Sequence, residues 1–381
     1  MTLDRRTFVG ASALMAASPV LFAQASTARR FIFIIQRGAA DGLNTVIPYA
    51  DPAYARARGA LALDTGAVLK LDGNFALHPS LATLHGLYGA GQATFFHAVA
   101  SPYRDRSHFD AQNVLETGGQ APHQLKDGWL NRLLAMLPGG VRTAVALSQA
   151  VPLALRGAID VTTYAPSALP QAEQALLRRV DDLYANDAQL HALWSAALDA
   201  QDMAGNGRGA DRRQDPAALG RAAAGFLARP DGPRIAMIET GGWDTHSGQA
   251  NRLASQLKAL DSLVDGLRAG LGATWAQTVV LVATEFGRTV AANGTGGTDH
   301  GTGAAAMLFG GAVRGGRVIA DWPGLNTADL HEGRDLKPTL GLEALVPWVC
   351  AETFRIDPEQ VARVLFPAVA FRKPPSALLQ G

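Results

Sequence analysis

Acidic and imidazole side chains follow apolar segments at several points along this chain. Asp41 comes after the first apolar run, and Asp244 and His246 come after a later one. Glu285 follows the next run, and His300 lies in the glycine-rich loop beyond it. A single aspartate after a strand usually forms a turn or a helix cap, and a single histidine is usually structural. Because the carboxyl ends of neighbouring strands meet at one edge of a sheet, their recurrence indicates a shared metal or catalytic site.

The types of these side chains indicate which ions they would bind. Asp244 and His246 are two residues apart, so both point the same way on an extended segment. With His300 they provide two imidazoles and one carboxylate, a set that suits zinc or another transition ion with an open position. Asp41 and Glu285 offer only oxygen, so a second ion held by them would be magnesium, calcium or manganese. We therefore predict one or two divalent metal ions, which together would hold a phosphoryl or sulfuryl oxygen.

A nucleophile candidate, Ser107, begins the helix predicted from Ser107 to Glu116. The amide groups and dipole at a helix N-terminus favour a bound anion or an alkoxide. The spacing from Ser107 to Asp110 also fits a capping box with an aspartate in place of the usual glutamate or glutamine. Nucleophile and cap therefore both remain open for Ser107. His108 is a metal ligand, a general acid or a helix-surface residue, and it ranks below His246 and His300.

Three arginines could balance the charge of an anionic substrate. Arg104, Arg106 and Arg288 each offer bidentate hydrogen bonds, although surface arginines are commonly just solvated. The glycine-rich stretch at 294–297 lacks the Lys-Ser/Thr ending of a P-loop, and the chain has no G-x-G-x-x-G motif, so nucleotide binding through these motifs is disfavoured.

The elements that must position these residues alternate along the chain. Apolar strands are predicted at 30–36, 93–99, 234–239, 278–283 and 304–310, and one long helix is marked by leucines at three- or four-residue steps between Leu253 and Leu271. This order predicts an α/β fold with a doubly wound, mainly parallel sheet and helices on both faces. The segment at 150–230 is either a helical cap or insertion or a set of further helices of the same domain. Residues 203–215 are predicted to form a flexible loop.

The N-terminus has the pattern of an export signal. Arg5 and Arg6 precede a modest apolar run and an Ala-Gln-Ala site, which resembles a twin-arginine signal at 1–25 followed by a mature domain at 26–381. We expect the twin-arginine translocation machinery as a partner and a periplasmic or secreted location, without stable membrane insertion. The net charge of +1 gives no indication of a nucleic-acid partner. Cys350 is the only cysteine, so no intrachain disulfide can form.

Five motifs carry a resemblance to a known family. The chain resembles an uncharacterised family of twin-arginine-exported proteins grouped with the alkaline phosphatase and sulfatase superfamily, over nearly the whole mature sequence. The motifs are RGAADGLNTVIP (37–48), YRDRSHFDAQNVLETG (103–118), GGWDTHSGQ (241–249), TEFGRT (284–289) and GTDHGTG (297–303).

The resemblance implies an alkaline phosphatase-like fold and a set of site residues. By position, the metal ligands would be Asp41, Asp244, His246, Glu285 and His300, with Ser107 as the nucleophile. Better-known members have an Asp-His pair where this chain has Glu285-Phe286, and a wider spacing than Asp244-Thr245-His246. One of the two ions would therefore be weakly held or absent.

Three functions are consistent with these residues. The first is an exported metal-dependent hydrolase of a small anionic phosphate or sulfate ester, in which Ser107 attacks and Arg104 or Arg288 balances the charge. The second is an exported binding or assembly protein that retains the scaffold without its chemistry. The third is a hydrolase that activates water and forms no covalent intermediate.

Overall fold

The computed structural model describes residues 28–139, 143–165, 174–185, 187–203, 215–372 and 376–381. The predicted signal at 1–25 and most of the predicted loop at 203–215 lie outside these ranges. The strands are β1 Arg30–Gln36, β2 Val46–Ile47, β3 Leu69–Lys70, β4 Ala76–Leu77, β5 Ala93–Ala100, β6 Ala144–Leu147, β7 Thr162–Thr163, β8 Ile235–Thr240, β9 Thr278–Thr284, β10 Ala304–Phe309, β11 Arg317–Ile319 and β12 Leu340–Gly341. The α-helices are Gly42–Thr45, Tyr54–Arg58, Ala82–Gly89, His108–Thr117, Trp129–Met136, Gln174–Tyr184, Ala188–Met203, Pro216–Leu227, Gln249–Leu271, Leu342–Phe354 and Pro358–Leu365.

The main sheet is mixed but mostly parallel. Its strand order is β11-β5-β10-β9-β1-β8-β6-β7, with β12 also paired to β5. Strand β1 pairs in parallel with both β8 and β9, whereas β10 runs antiparallel to β5 and β9. Strands β2, β4 and β3 form a small separate antiparallel sheet. The predicted α/β class with a mainly parallel sheet is confirmed.

Both faces of the main sheet are covered by helices, which explains why β1 is apolar along most of its length. Phe31, Phe33 and Ile35 point into one core with helices Trp129–Met136, Leu342–Phe354 and Pro358–Leu365. The alternate residues Ile32 and Ile34 point into a second core with helices Ala82–Gly89, Pro216–Leu227 and Gln249–Leu271. A strand buried on both faces needs apolar residues at successive positions, and this produces the continuous run seen in the sequence.

The long helix Gln249–Leu271 packs closely against helix Pro216–Leu227. A Cβ atom added at Gly220 would lie 2.2 Å from the carbonyl oxygen of Leu263, and one added at Gly266 would lie 2.1 Å from that of Ala217. The two helices therefore approach at glycine positions that no larger residue could occupy without separating them.

The predicted cap or insertion at 150–230 stays a prediction. None of the described helices is both long and apolar enough to cross a membrane.

One histidine that is not among the site residues predicted from the sequence is completely buried in the sheet. The ring of His97 on β5 packs against Phe75 and Trp322 and is 0% exposed. Its Nδ1 accepts a hydrogen bond from the Ala98 amide at 2.8 Å, so Nε2 carries the proton and donates it to the Val46 carbonyl oxygen at 2.7 Å. Burial lowers the pKa of His97 to about 4.

We expect this neutral histidine to make the fold sensitive to acid. Since its pKa is lower in the folded chain than the ordinary value of about 6.5, the unfolded chain binds the proton more readily. The free energy of unfolding should therefore fall as the pH drops from about 6.5 to about 4, by roughly 3 kcal/mol from this residue. Denaturant unfolding at several pH values, on the wild type and His97→Gln, would measure it. The variant should lack this component, whereas a variant of the exposed His123, His123→Gln, should keep it. Equal pH dependence in the wild type and His97→Gln would contradict the expectation.

Candidate functional site

The parallel pairing of β8, β1 and β9 brings their carboxyl ends to one edge of the sheet. Asp41, Asp244 and Glu285 lie in the segments that follow these three strands. The loop after β1 passes very close to the one after β8, because a Cβ atom on Gly38 would lie 2.6 Å from the Asp244 amide nitrogen. Gly38 also has a φ of +118°, a backbone conformation that residues other than glycine rarely adopt.

Three residues of the predicted set meet at this edge. The Nε2 atom of His246 lies 3.0 Å from the Nε2 atom of His300 and 3.0 Å from Oδ1 of Asp244. The same Asp244 oxygen is 3.4 Å from Nε2 of His300. Their donor atoms are close enough to share a single ion.

A fourth donor comes from helix His108–Thr117. The Nε2 atom of His108 lies 2.9 Å from Nε2 of His300 and 3.5 Å from Oδ2 of Asp244. His108, Asp244 and His300 have ligand atoms that all lie within 4.8 Å of one another. From its sequence, His108 ranks below the other two histidines as a ligand. Its position as the first helical residue after an arginine-rich loop is the only sequence signal for its place here.

The outer nitrogen atom of each ring is held by a neighbouring oxygen. His108 Nδ1 donates to Oε1 of Glu285 at 2.8 Å, and His300 Nδ1 donates to the carbonyl oxygen of Arg106 at 2.9 Å. His246 Nδ1 lies 3.3 Å from Oδ1 of Asp299. Such outer partners fix the orientation of histidine ligands in metal sites.

These contacts leave the Nε2 lone pairs of neutral His108 and His300 facing each other. Two unprotonated nitrogen atoms at 2.9 Å repel, so a proton or a cation must lie between them. The hydrogen bond that His108 donates to Glu285 raises the pKa of His108. Burial, followed by the charge of His108, lowers the pKa of His300. The pair therefore either shares one proton, carried by His108, or binds a cation that displaces it.

Glu285 lies behind His108, with its carboxylate fully buried. Its Oε1 accepts from the Gly38 amide at 2.8 Å, from His108 Nδ1 at 2.8 Å and from Gln112 Nε2 at 3.0 Å. Its Oε2 accepts from the Thr284 hydroxyl at 3.0 Å. Burial alone would raise the pKa of Glu285, but the hydrogen bonds from His108 and Gln112 outweigh it and lower the pKa.

Asp41 lies in a separate buried group of side chains. Its Oδ1 caps helix Gly42–Thr45 by accepting from the amides of Leu43 at 2.9 Å and Asn44 at 3.2 Å. Its Oδ2 pairs with the fully buried guanidinium of Arg58 and accepts from Gln249. The structure thus gives Asp41 a cation from the chain itself and does not bring it into contact with His108, Asp244, His246 or His300.

A chain of polar contacts connects Asp41 to Asp244. Gln249 contacts the Thr298 hydroxyl at 2.5 Å, and that hydroxyl accepts from Nε of Arg288 at 3.0 Å. Arg288 in turn donates to Oδ1 of Asp244 at 2.6 Å. Burial raises the pKa of Asp244, but Arg288 more than offsets this and the pKa is lowered.

The candidate nucleophile Ser107 precedes His108 at the N-terminus of its helix. Its backbone is extended, with φ −92° and ψ 123°, and its side chain makes no capping hydrogen bond. Burial raises the pKa of the neighbouring Tyr103 hydroxyl, and Ser107 partly offsets this rise. The capping alternative suggested by the sequence is therefore not realised by the Ser107 side chain.

The three arginines already have partners on the chain. Arg288 is bound to Asp244 and Thr298, and Arg106 is bound to Glu332 and Asp335. Arg104 donates to the carbonyl oxygens of Ser101 and Tyr103. An anion would have to share these guanidinium groups with their present partners.

A cleft of about 600 Å³ lies at the same edge of the sheet. It is lined by Arg37, Glu116 and Glu239, together with Arg156 and residues of the loop after β6. Gln112 connects the cleft to the histidines, since its side-chain oxygen accepts from Arg37 at 2.9 Å while its amide donates to Glu285.

Solved structures with a similar fold include hydrolases and a synthase. A lipoteichoic acid synthase, LtaP, from Listeria monocytogenes is 12% identical, with 90% of this chain and 75% of that chain covered and a TM-score of 0.43. A putative sulfatase from Bacteroides thetaiotaomicron is 11% identical, covering 91% and 76%, with a TM-score of 0.41. Alkaline phosphatase from the Antarctic bacterium TAB5 is 12% identical, covering 75% and 92%, with a TM-score of 0.36. Similarities at this level carry no argument about the site or the activity.

Sequence comparisons give a more definite result. No curated protein matches the chain. A family model described as "Protein of unknown function (DUF1501)" matches residues 28–365, which is most of the chain. The protein therefore belongs to the DUF1501 family.

Proposed function

We propose that this protein is an exported metal-dependent hydrolase of phosphate or sulfate esters, with one metal centre formed by His108, Asp244, His246 and His300. The observation that carries the proposal is that Nε2 of His300 lies 2.9 Å from Nε2 of His108 and 3.0 Å from Nε2 of His246. The Asp244 carboxylate lies within 3.5 Å of an Nε2 atom of each of the three rings. Export rests on the Arg5-Arg6 signal pattern, and with it the periplasmic or secreted location and the twin-arginine partner.

The donor set fits a transition ion. Three imidazole nitrogen atoms and one carboxylate match zinc better than magnesium or calcium, which prefer oxygen ligands. The outer contacts of His108 with Glu285 and of His300 with the Arg106 carbonyl leave Nε2 of each neutral ring free to bind an ion.

We further propose that the centre holds a single ion, with Asp41 and Glu285 in supporting roles. Both carboxylates already accept several hydrogen bonds, and Arg58 supplies the positive charge that buried Asp41 requires. An ion at Asp41 would have to displace this buried guanidinium. This single-ion proposal keeps the sequence-based expectation that one of two ions would be weakly held or absent.

The side chains around the centre would prepare it for an ester. A bound ion would supply Lewis-acid polarisation of an ester oxygen and a lowered pKa for a nucleophile. Glu285 orients His108, and Arg288 holds Asp244 while balancing its charge. Asp244 and His246 are 43% and 44% exposed, so a substrate can approach from solvent. The neighbouring cleft is large enough for the organic part of a small ester.

An exported binding or assembly protein is the second candidate. Four protein donors are typical of a closed structural zinc site, whereas catalytic sites usually have three and an open position. The existing partners of Arg104, Arg106 and Arg288 also favour this alternative, because none of these guanidinium groups is free for a substrate.

The metal content of the protein tests the single centre. The full protein, stripped of metal and reloaded with zinc, should bind one zinc per chain by elemental analysis. His108→Ala and His300→Ala should each weaken zinc binding by at least about 100-fold, because each removes an ion ligand. The matched control is His123→Ala, an exposed histidine outside the centre, which should bind zinc like the wild type. Two firmly held ions per chain, or unchanged binding in both ligand variants, would contradict the single centre.

The activity of a Ser107 variant tests the proposed nucleophile. On aryl phosphate and aryl sulfate esters, Ser107→Ala should lower kcat by on the order of 10³-fold or more with zinc content unchanged, since it removes the attacking hydroxyl. Ser255→Ala, on the exposed side of helix Gln249–Leu271, serves as the control and should keep full activity.

Two other outcomes separate the alternatives. Retained turnover in Ser107→Ala, together with its loss in His300→Ala, would exclude serine attack and support direct attack by water. Absence of turnover in zinc-loaded wild-type protein on both ester classes would favour the binding or assembly protein.

A further inference from the structure

The ring of His300 is oriented by an unusual backbone conformation. Its Nδ1 donates to the carbonyl oxygen of Arg106 at 2.9 Å. Arg106 has a φ of +61°, in the left-handed region that non-glycine residues occupy only at some cost. Such a conformation persists when surrounding contacts hold it in place. What holds Arg106 therefore also determines where the His300 ring points.

The Arg106 side chain is held mainly by one buried carboxylate. Its Nε and Nη2 atoms both donate to Oδ2 of Asp335, at 3.0 and 2.8 Å. Asp335 is 0% exposed, whereas the second partner, Glu332 at 2.5 Å, is 59% exposed. Hydrogen bonds to a buried carboxylate are far less weakened by water than those to an exposed one.

The same carboxylate also lies beside the arginine that holds the His300 backbone. Arg334 donates from Nη2 to the carbonyl oxygen of His300 at 2.6 Å, and its Nε lies 3.6 Å from Oδ1 of Asp335. The main chain of Asp335 is fixed by a tight turn in which its amide and the His331 amide each donate to the other residue's carbonyl oxygen. Asp335 is thus the point at which contacts to the ring and to the backbone of His300 meet.

We propose that Asp335 is a positioning residue for His300 and acts through Arg106 and Arg334. Only its expected effect on zinc affinity rests on the proposed metal centre. Without the carboxylate, Arg106 is left with the solvent-exposed Glu332, and its left-handed backbone loses its buried anchor. The Arg106 carbonyl then no longer fixes the proton on Nδ1 of His300. The Nε2 lone pair is then no longer held toward His108 and His246.

The direct test compares Asp335→Asn with Glu332→Gln in the full chain. Both changes replace a carboxylate that binds Arg106 with its amide, but only Asp335 is buried. The first readout is the tautomer of His300 in metal-free protein, by nitrogen-15 NMR at a pH where the ring is neutral, with the signal assigned by its loss in His300→Gln. Wild type and Glu332→Gln should show the proton on Nδ1, and Asp335→Asn should show a mixture.

The second readout is zinc affinity, measured by competition with a chelator. Asp335→Asn should weaken zinc binding by about 10- to 100-fold, as is typical of losing an outer partner of a metal-bound histidine. Glu332→Gln should change it by less than about fivefold, because exposed ion pairs contribute little. A wild type that binds no zinc would contradict the proposed function, while the tautomer comparison, which needs no ion, still decides the role of Asp335.

A wild-type tautomer in folded Asp335→Asn would overturn the proposal. If that variant does not fold, Arg106→Gln replaces it, since the guanidinium is the route by which Asp335 acts. The His300 proton should then be redistributed in Arg106→Gln, and an unchanged tautomer would overturn the proposal in the same way.

Discussion

Two imidazole nitrogen atoms that face each other at 2.9 Å, with room between them only for a shared proton or a cation, are the constraint on which the rest of the site depends. His108 and His300 each use their other nitrogen atom as a donor, to a buried carboxylate and to a backbone carbonyl. The remaining lone pairs therefore point at one another, and only a proton or a cation between them removes the repulsion. His246 and Asp244 add two more donor atoms at the same place. The surrounding structure keeps these four side chains together.

The sheet brings the groups together, and buried charges keep them oriented. Parallel pairing of β1 with β8 and β9 aligns the three loops that follow these strands at one edge. The close approach at Gly38 allows the loops after β1 and β8 to touch. Behind the histidines, a buried network runs from Arg58 and Asp41 through Gln249 and Thr298 to Arg288 and Asp244. Such hydrogen-bond networks are rigid when every polar group has a partner, and the loss of one partner is energetically costly. The contacts of Asp41 therefore affect the position of Asp244.

The sequence was sufficient to predict the α/β class and to group three of the side chains that the structure brings together. The strands β1, β5, β8, β9 and β10 were predicted to within a residue or so, because strands buried in the sheet have continuous apolar runs. The grouping of Asp244, His246 and His300 followed from the positions of Asp244 and His246 after one such strand and of His300 in the glycine-rich loop before another. The partners of buried carboxylates could not be predicted in this way. Asp41 and Glu285 look alike in sequence, and only the fold shows that one faces Arg58 and the other His108. Asp335 gave no signal at all, because its importance depends on where Arg106 and Arg334 place His300.

The most direct test of the single metal centre is an anomalous difference map, collected at the zinc edge, from crystals of the zinc-loaded protein. We predict one strong peak within bonding distance of Nε2 of His108, His246 and His300 and of the Asp244 carboxylate, and no comparable peak at Asp41. A zinc peak at Asp41, or none among the three histidines at full zinc loading, would contradict this prediction.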